Sequence, residues 1–346
     1  HVHQDFRRVP SLTMIAIIIS AVIAGPLAVF APLGMAPLSA VVAAMSLLTA
    51  ARERLGLIVV HHPVAQVIFL LVAWMATTTI WTFDPEDALL QLARTAFLIS
   101  GGTALAIMLP RLDQIDRERL ASAVIAGFAL LVFFLAFELL SEGLIVRMAL
   151  PAKYAQQPLI EVIVSRGSVF MALMMWPTLL AFHNIHRNLG VVATIGGAIG
   201  ITFLIDHGAT RLGVATGLAA LGLVYCFGRR AVVLIGILCI ALILSTPLLA
   251  LGPLSPQWWQ SVAERLEVSA VHRLYIWQFV TERVWERPLF GWGFDASAQI
   301  PGGDTPTPIG LPSLSLHPHN TALQIWLELG AVGAALSALL IAVTVL

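Results

Sequence analysis

The chain has 346 residues, of which 59% are hydrophobic and 11% charged, and its 19 basic residues balance its 19 acidic ones. Soluble domains carry about 25% charged residues, so this composition, with a mean hydropathy of +0.91, describes a polytopic membrane protein. A formal net charge of zero removes the basic face that nucleic-acid binding requires.

The first ten residues are short, polar and carry Arg7 and Arg8, which reads as the flank of a first transmembrane helix rather than a cleavable signal. A membrane-spanning helix needs about 20 predominantly apolar residues. On that criterion about ten spans are expected, near 11–29, 32–50, 64–83, 89–109, 121–140, 166–186, 188–205, 209–227, 231–251 and 319–346. The first two share one apolar run, turned by a tight hairpin in the Gly25–Pro37 region. Residues 1–251 thus hold nine spans with an outer loop at about 141–165. A large outer loop occupies 252–318, and a C-terminal span begins with His319-Asn320. Cys226 and Cys239 fall inside apolar spans and read as packing residues.

Orientation follows from the Lys/Arg asymmetry of short loops. An inside N-terminus puts Arg7, Arg8, Arg52, Arg54, Arg111, Arg117, Arg119, Arg187, Arg229 and Arg230 on the cytoplasmic side, with Asp84, Glu86 and Asp87 opposite. Arg166, Arg211, Arg265, Arg273, Arg283 and Arg287 then break the rule, at outer helix ends or in the large outer loop. That loop divides in two. From Pro256 to Arg287 it is amphipathic, with Trp258, Trp259, Trp277 and Trp285 among charges, and is expected to lie on the membrane surface. From Pro288 to Pro318 it is rich in Gly and Pro and reads as irregular.

Guanidinium groups bind phosphate oxygens in a planar bidentate fork, so several outer arginines suit a lipid-linked diphosphate. The alternative for any one of them is snorkelling to headgroup phosphates. His319 stands where the large loop re-enters the membrane, and imidazole there can take a proton from a surface-held substrate. Its alternative is an interfacial capping histidine. Asn320 can cap the helix or hold a ligand. On an ideal helix the eleven residues to Gly330 advance about 1100°, which puts Gly330 beneath His319, whereas Glu328 falls about 180° away and pairs with another helix. Asp206, Asp295 and Asp304 are candidates to orient the His319 ring. His317-Pro318-His319 is a weak metal-ligand set with no third ligand at a telling spacing, and no metal site is expected.

The order of these residues resembles a known family. Arg166 opens one outer helix end and Thr210-Arg211 the next. Arg273-x-x-x-Trp277 precedes Pro288-Leu-Phe-Gly-Trp-Gly293, and His319-Asn320-x9-Gly330 follows. The pattern over roughly 165–335 is similar to the O-antigen ligase superfamily, which also holds polysaccharide polymerases and protein O-oligosaccharyltransferases. Members usually carry further helix after the His-Asn segment, whereas this sequence stops at Leu346.

The resemblance implies an all-α, GT-C-like membrane glycosyltransferase with a large periplasmic loop, working without a metal or cofactor at the periplasmic face of the bacterial inner membrane. It implies an undecaprenyl-diphosphate-linked glycan as donor and lipid A–core as acceptor, among membrane lipids, with no nucleic-acid partner. His319 would be the general base, and Arg166, Arg211 and Arg273 would bind the diphosphate. Asn320, Gly330, Trp277 and Arg287 would support them. A polymerase or a protein-directed transferase would use the same donor. A lipid-linked glycan transporter would instead show internal repeats and midplane charges.

Overall fold

A computed structural model describes residues 11–53, 61–149, 159–185, 196–197, 199–200, 202, 208–259 and 266–345. In chain order its helices are α1 (Ser11–Phe30), α2 (Met35–Arg52), α3 (Pro63–Thr78), α4 (Pro85–Met108), α5 (Gln114–Leu140), α6 (Leu144–Ala149), α7 (Leu159–Ile185), α8 (Gly208–Phe227), α9 (Arg229–Leu251), α10 (Pro256–Trp259), α11 (Val268–Glu286) and α12 (Thr321–Val345). Among the described residues eight helices are long and apolar enough to cross a membrane, and α7 contributes a shorter apolar stretch, Arg166–Phe182. The protein is an all-α polytopic membrane protein. The expected span at 188–205 lies largely outside the described residues, as do Arg7, Arg8, Arg54, Arg187, Asp206, Arg265 and part of the 141–165 loop. The expected hairpin between the first two spans is present as a short 3-10 turn, Pro32–Gly34.

The chain forms two compact units: residues 1–56 with 97–223, and residues 57–96 with 224–346. In the first, α1 packs along α5, and α5 along α7. Gly25 and Gly127 let α1 and α5 approach backbone to backbone, since a Cβ on either would collide with a carbonyl oxygen of the other helix. Val29, Phe128, Leu131, Leu135, Met171, Met175 and Val214 form the core around that contact. The buried Thr13 and Thr49 hydroxyls pair with one another, 2.8 Å apart. The Glu138 carboxylate, buried at the end of α5, accepts from the backbone amides of Ile145 and Val146 at the start of α6.

The second unit is built on α12, which packs against α9, α3 and α11. Its helix is broken at Gly330, where φ is 65° and ψ is −163°, a combination open essentially to glycine alone. The break strands backbone groups that a continuous helix would pair with one another. Each finds a partner, as burial demands. Leu327 O accepts from Trp292 N (2.8 Å) and Glu328 O from Gly293 N (3.0 Å), while Ala331 N and Val332 N donate to Pro288 O and Leu289 O. The Leu329 carbonyl accepts from the Trp74 indole of α3 at 3.0 Å. The Pro288–Gly293 segment therefore plugs the break. Gly291, at φ 69°, is also required here, because a Cβ would meet the Glu328 carbonyl at 2.5 Å.

A second vacancy is filled the same way. Pro247 in α9 has no N–H for the Ile243 carbonyl, and the Trp326 indole donates to that oxygen at 2.8 Å. Part of the amphipathic segment packs on protein: α11 buries Ile276, Val280 and Val284 against Ala250, Trp292, Leu323 and Leu327, while Trp258, Trp259 and Trp285 stay exposed.

Gly330→Ala tests the plug. A Cβ there collides with the Leu289 carbonyl in a conformation closed to alanine, so a loss of about 1–3 kcal/mol is expected. The detergent-solubilised variant should melt several degrees lower and exchange the Trp292 and Gly293 amides faster. Unchanged melting and unchanged protection would refute the plug.

Candidate active site

The site grows from the N-terminal half of α11. His272, Arg273 and Trp277 are all half-buried there, and Arg273 and Trp277, four residues apart, share one helix face. The Trp277 indole donates to the Pro318 carbonyl at 3.0 Å, and His272 Nε2 lies 2.8 Å from the Pro312 carbonyl. Because a carbonyl only accepts, His272 carries its proton on Nε2. These two bonds lay the 312–318 strap along the helix that carries Arg273, which fixes where His319 emerges.

His319 itself is not the first residue of a helix. Its φ is 52°, in the left-handed region that histidine, aspartate and asparagine enter more readily than most residues. Asn320 follows as the N-cap of α12, its side-chain oxygen accepting from the amides of Ala322 (3.1 Å) and Leu323 (3.2 Å). Asn320 thus caps the helix, and its carbonyl-type oxygen is committed to that task. The expected stacking of Gly330 beneath His319 is corrected: His319 lies before the helix and Gly330 breaks it, so ideal helical rotation does not connect them. The two residues are linked through the 288–293 plug and through α11, which holds both the plug's neighbours and the strap.

Around the His319 ring the chemistry is basic. His317 is nearest, with ring centroids 4.3 Å apart and planes inclined by 53°. Burial, and then the positive charges available on His317, Arg273 and His272, hold the imidazole below the usual histidine range of about 6.5. That shift favours the neutral ring, which is the form that accepts a proton. From the sequence, His317 is weighed only as a metal ligand and His272 is not singled out. The signal available was their immediate adjacency to Arg273 and His319.

The Glu328 carboxylate is occupied elsewhere. Glu328 accepts from Ser297 Oγ (2.5 Å), from the Asp295 amide (3.1 Å) and from Gln324 (3.2 Å). It ties α12 to the loop that follows the plug, rather than to another helix as expected. Asp295 has a positive φ of 63°, and burial, then Asp87 and Asp84, push its carboxyl up from the ordinary value. Among the described residues no group of three His, Cys, Asp or Glu side chains is arranged to hold a metal ion.

The other expected residues are distributed as follows. Arg287 ends α11, fourteen residues after Arg273, which is about 21 Å along a helix. Its guanidinium carbon stands 4.2 Å over the Trp292 ring. Arg166 and Arg211 belong to the first unit. There the buried hydroxyls of Ser168 and Thr210, 2.9 Å apart, tie α7 to α8 beside the two arginines. Arg166 is exposed, and Arg211 Nε donates to the Thr202 carbonyl at 3.2 Å.

Comparison with known proteins bears on the same region. Residues 193–338 match the family model for O-antigen ligase, a stretch that contains Arg211, Arg273, Trp277, Arg287, His319, Asn320 and Gly330. The chain is 29% identical over 216 residues to a Rickettsia prowazekii (strain Madrid E) protein named as an inferred polysaccharide ligase, which covers 60% of this chain and 50% of that protein. A Rickettsia conorii protein of the same description is 25% identical over 274 residues, or 76% of this chain and 63% of that protein. The chain thus spans about half to two thirds of the length of these relatives. No solved protein structure matches it. The family match lies over the helices that carry His319 and Arg273, and over that stretch the chain is similar to the O-antigen ligase family.

Proposed function

We propose that the protein is a glycosyltransferase of the O-antigen ligase type, in which His319 activates a sugar hydroxyl of lipid A–core. The donor is an undecaprenyl-diphosphate-linked glycan, and the reaction takes place at the periplasmic face of the bacterial inner membrane. The observation that carries this reading is the His319 ring set 4.3 Å from the His317 ring, at the end of the strap that His272 and Trp277 fasten to the helix of Arg273. His319 takes the proton of the acceptor hydroxyl. That oxygen bonds to the anomeric carbon as the bond from that carbon to the diphosphate oxygen breaks, and the diphosphate departs with the electron pair. Direct attack inverts the anomeric centre.

Negative charge grows on the leaving diphosphate, and a guanidinium aimed there stabilises it where it forms. Arg273 does this in the unit that holds His319, in place of the divalent cation that many phosphate-using enzymes employ. For Arg166 and Arg211 the same role rests on the sequence resemblance alone. Trp277 and Asn320 act by position: one holds the strap before His319, and the other caps the helix after it.

The test is transfer by purified protein from the lipid-linked donor to lipid A–core, with a growing glycan and a serine-containing peptide as competing acceptors. Lipid A–core should gain the sugar, and His319→Ala should reduce transfer to background while melting as the parent does. Near-normal transfer by that variant would remove the general base, and a preference for glycan or peptide would replace ligase with polymerase or protein transferase. Transfer should also persist in excess EDTA. Strict dependence on added Mg²⁺ or Mn²⁺ would overturn the assignment of charge stabilisation to arginine.

A further inference from the structure

At the far end of α11 from His319 lies a cleft of about 380 Å³, lined by Trp81, Arg287, Pro288, Leu289, Phe290 and Gly291. Its walls are almost wholly apolar, and its one charged group is Arg287. We propose that this cleft is a second lipid site, which takes the phosphodiester of a membrane glycerophospholipid on Arg287 and an acyl chain against Trp81 and Phe290.

Charge and position both support this occupant. The adjacent carboxylate, Glu286, is paired with Arg283, and no carboxylate pairs with Arg287 among the described residues. The Trp292 ring covers one face of the Arg287 guanidinium. Such stacking leaves the N–H edge open, and that edge matches two phosphate oxygens. Leu289 and Phe290 are 60% and 55% exposed, large apolar surfaces that would be costly in water and ordinary beside lipid. Trp81 closes the membrane-spanning stretch Pro63–Trp81, the level at which tryptophan marks the headgroup boundary. A phosphate at Arg287 and a chain directed along Trp81 therefore match the layering of a bilayer leaflet.

The cleft is also built before any ligand arrives. Pro288 and Leu289 are held by their carbonyl bonds to Ala331 and Val332, and the Gly291 amide donates to Arg287 O. It is distinct from the reacting cluster, since about 21 Å of helix separates Arg287 from Arg273. A lipid here would brace the plug that closes the α12 break.

Native mass spectrometry of the protein in detergent can measure retention of three probes: dioleoylphosphatidylglycerol, dioleoylglycerol with the same chains and no phosphate, and undecaprenyl diphosphate. Arg287→Gln should weaken phosphatidylglycerol by about ten-fold and leave dioleoylglycerol and undecaprenyl diphosphate unchanged. Leu289→Glu places a carboxylate beside Arg287 on an exposed position, leaves the Trp292 stack intact, and should produce the same selective loss. Equal phosphatidylglycerol binding in parent and both variants would overturn the proposal. So would a loss confined to undecaprenyl diphosphate, which would make the cleft part of the donor site. Because transfer is not the readout, failure here is separate from failure of the ligase reading.

Discussion

The break in α12 at Gly330 is the constraint on which the second unit depends. A membrane helix cannot leave backbone groups unpaired, since each costs several kcal/mol in an apolar surrounding. Here three carbonyls and two amides lose helical partners, and the Pro288–Gly293 segment with the Trp74 indole supplies all five. The plug has to be glycine-rich because backbone meets backbone at Gly330 and Gly291. Once it is seated, the chain leaving it is anchored again: the Phe294 amide and carbonyl bond to the Thr78 and Thr82 hydroxyls, and Glu328 holds the next turn. One helical defect thereby organises a loop that would otherwise be irregular.

His319, the proposed base, inherits that order from α11. The C-terminal end of α11 runs into the plug, and its N-terminal half carries Arg273 together with the two side chains that fasten the strap before His319. Arg273 and His319 are therefore set by the same helix, although 46 residues of chain separate them by number. The left-handed backbone at His319 is a small local cost, of order 1–2 kcal/mol, offset by the Asn320 cap immediately after it. Positioning of this kind suits a base that must meet a hydroxyl in a fixed direction.

Much of the architecture was legible in the residues. Eight of the expected spans follow from hydropathy among the described residues, and the motif order pointed to the family whose model matches residues 193–338. What could not be read was any geometry that depends on the break. The Gly330 spacing from His319 suggested one continuous helix face, and the periodicity argument fails as soon as φ changes sign. Amphipathicity showed that α11 has an apolar face, without saying whether lipid or protein would cover it. The basic setting of His319 was invisible for the same reason: His272 lies 47 residues before His319, and the Pro312 carbonyl brings it into range.

The proposed donor and acceptor both bear anionic phosphate, so a base that stayed protonated beside them would be useless for removing a proton. A proton affinity lowered by burial and by His317, Arg273 and His272 answers that requirement. The most direct measurement is an NMR titration of ring-labelled histidine in the solubilised protein, with His319 identified by its absence from the His319→Gln spectrum. The account predicts a midpoint for His319 below about 6.5, moving upward in Arg273→Gln. A midpoint above that value, unmoved by loss of Arg273, would contradict it.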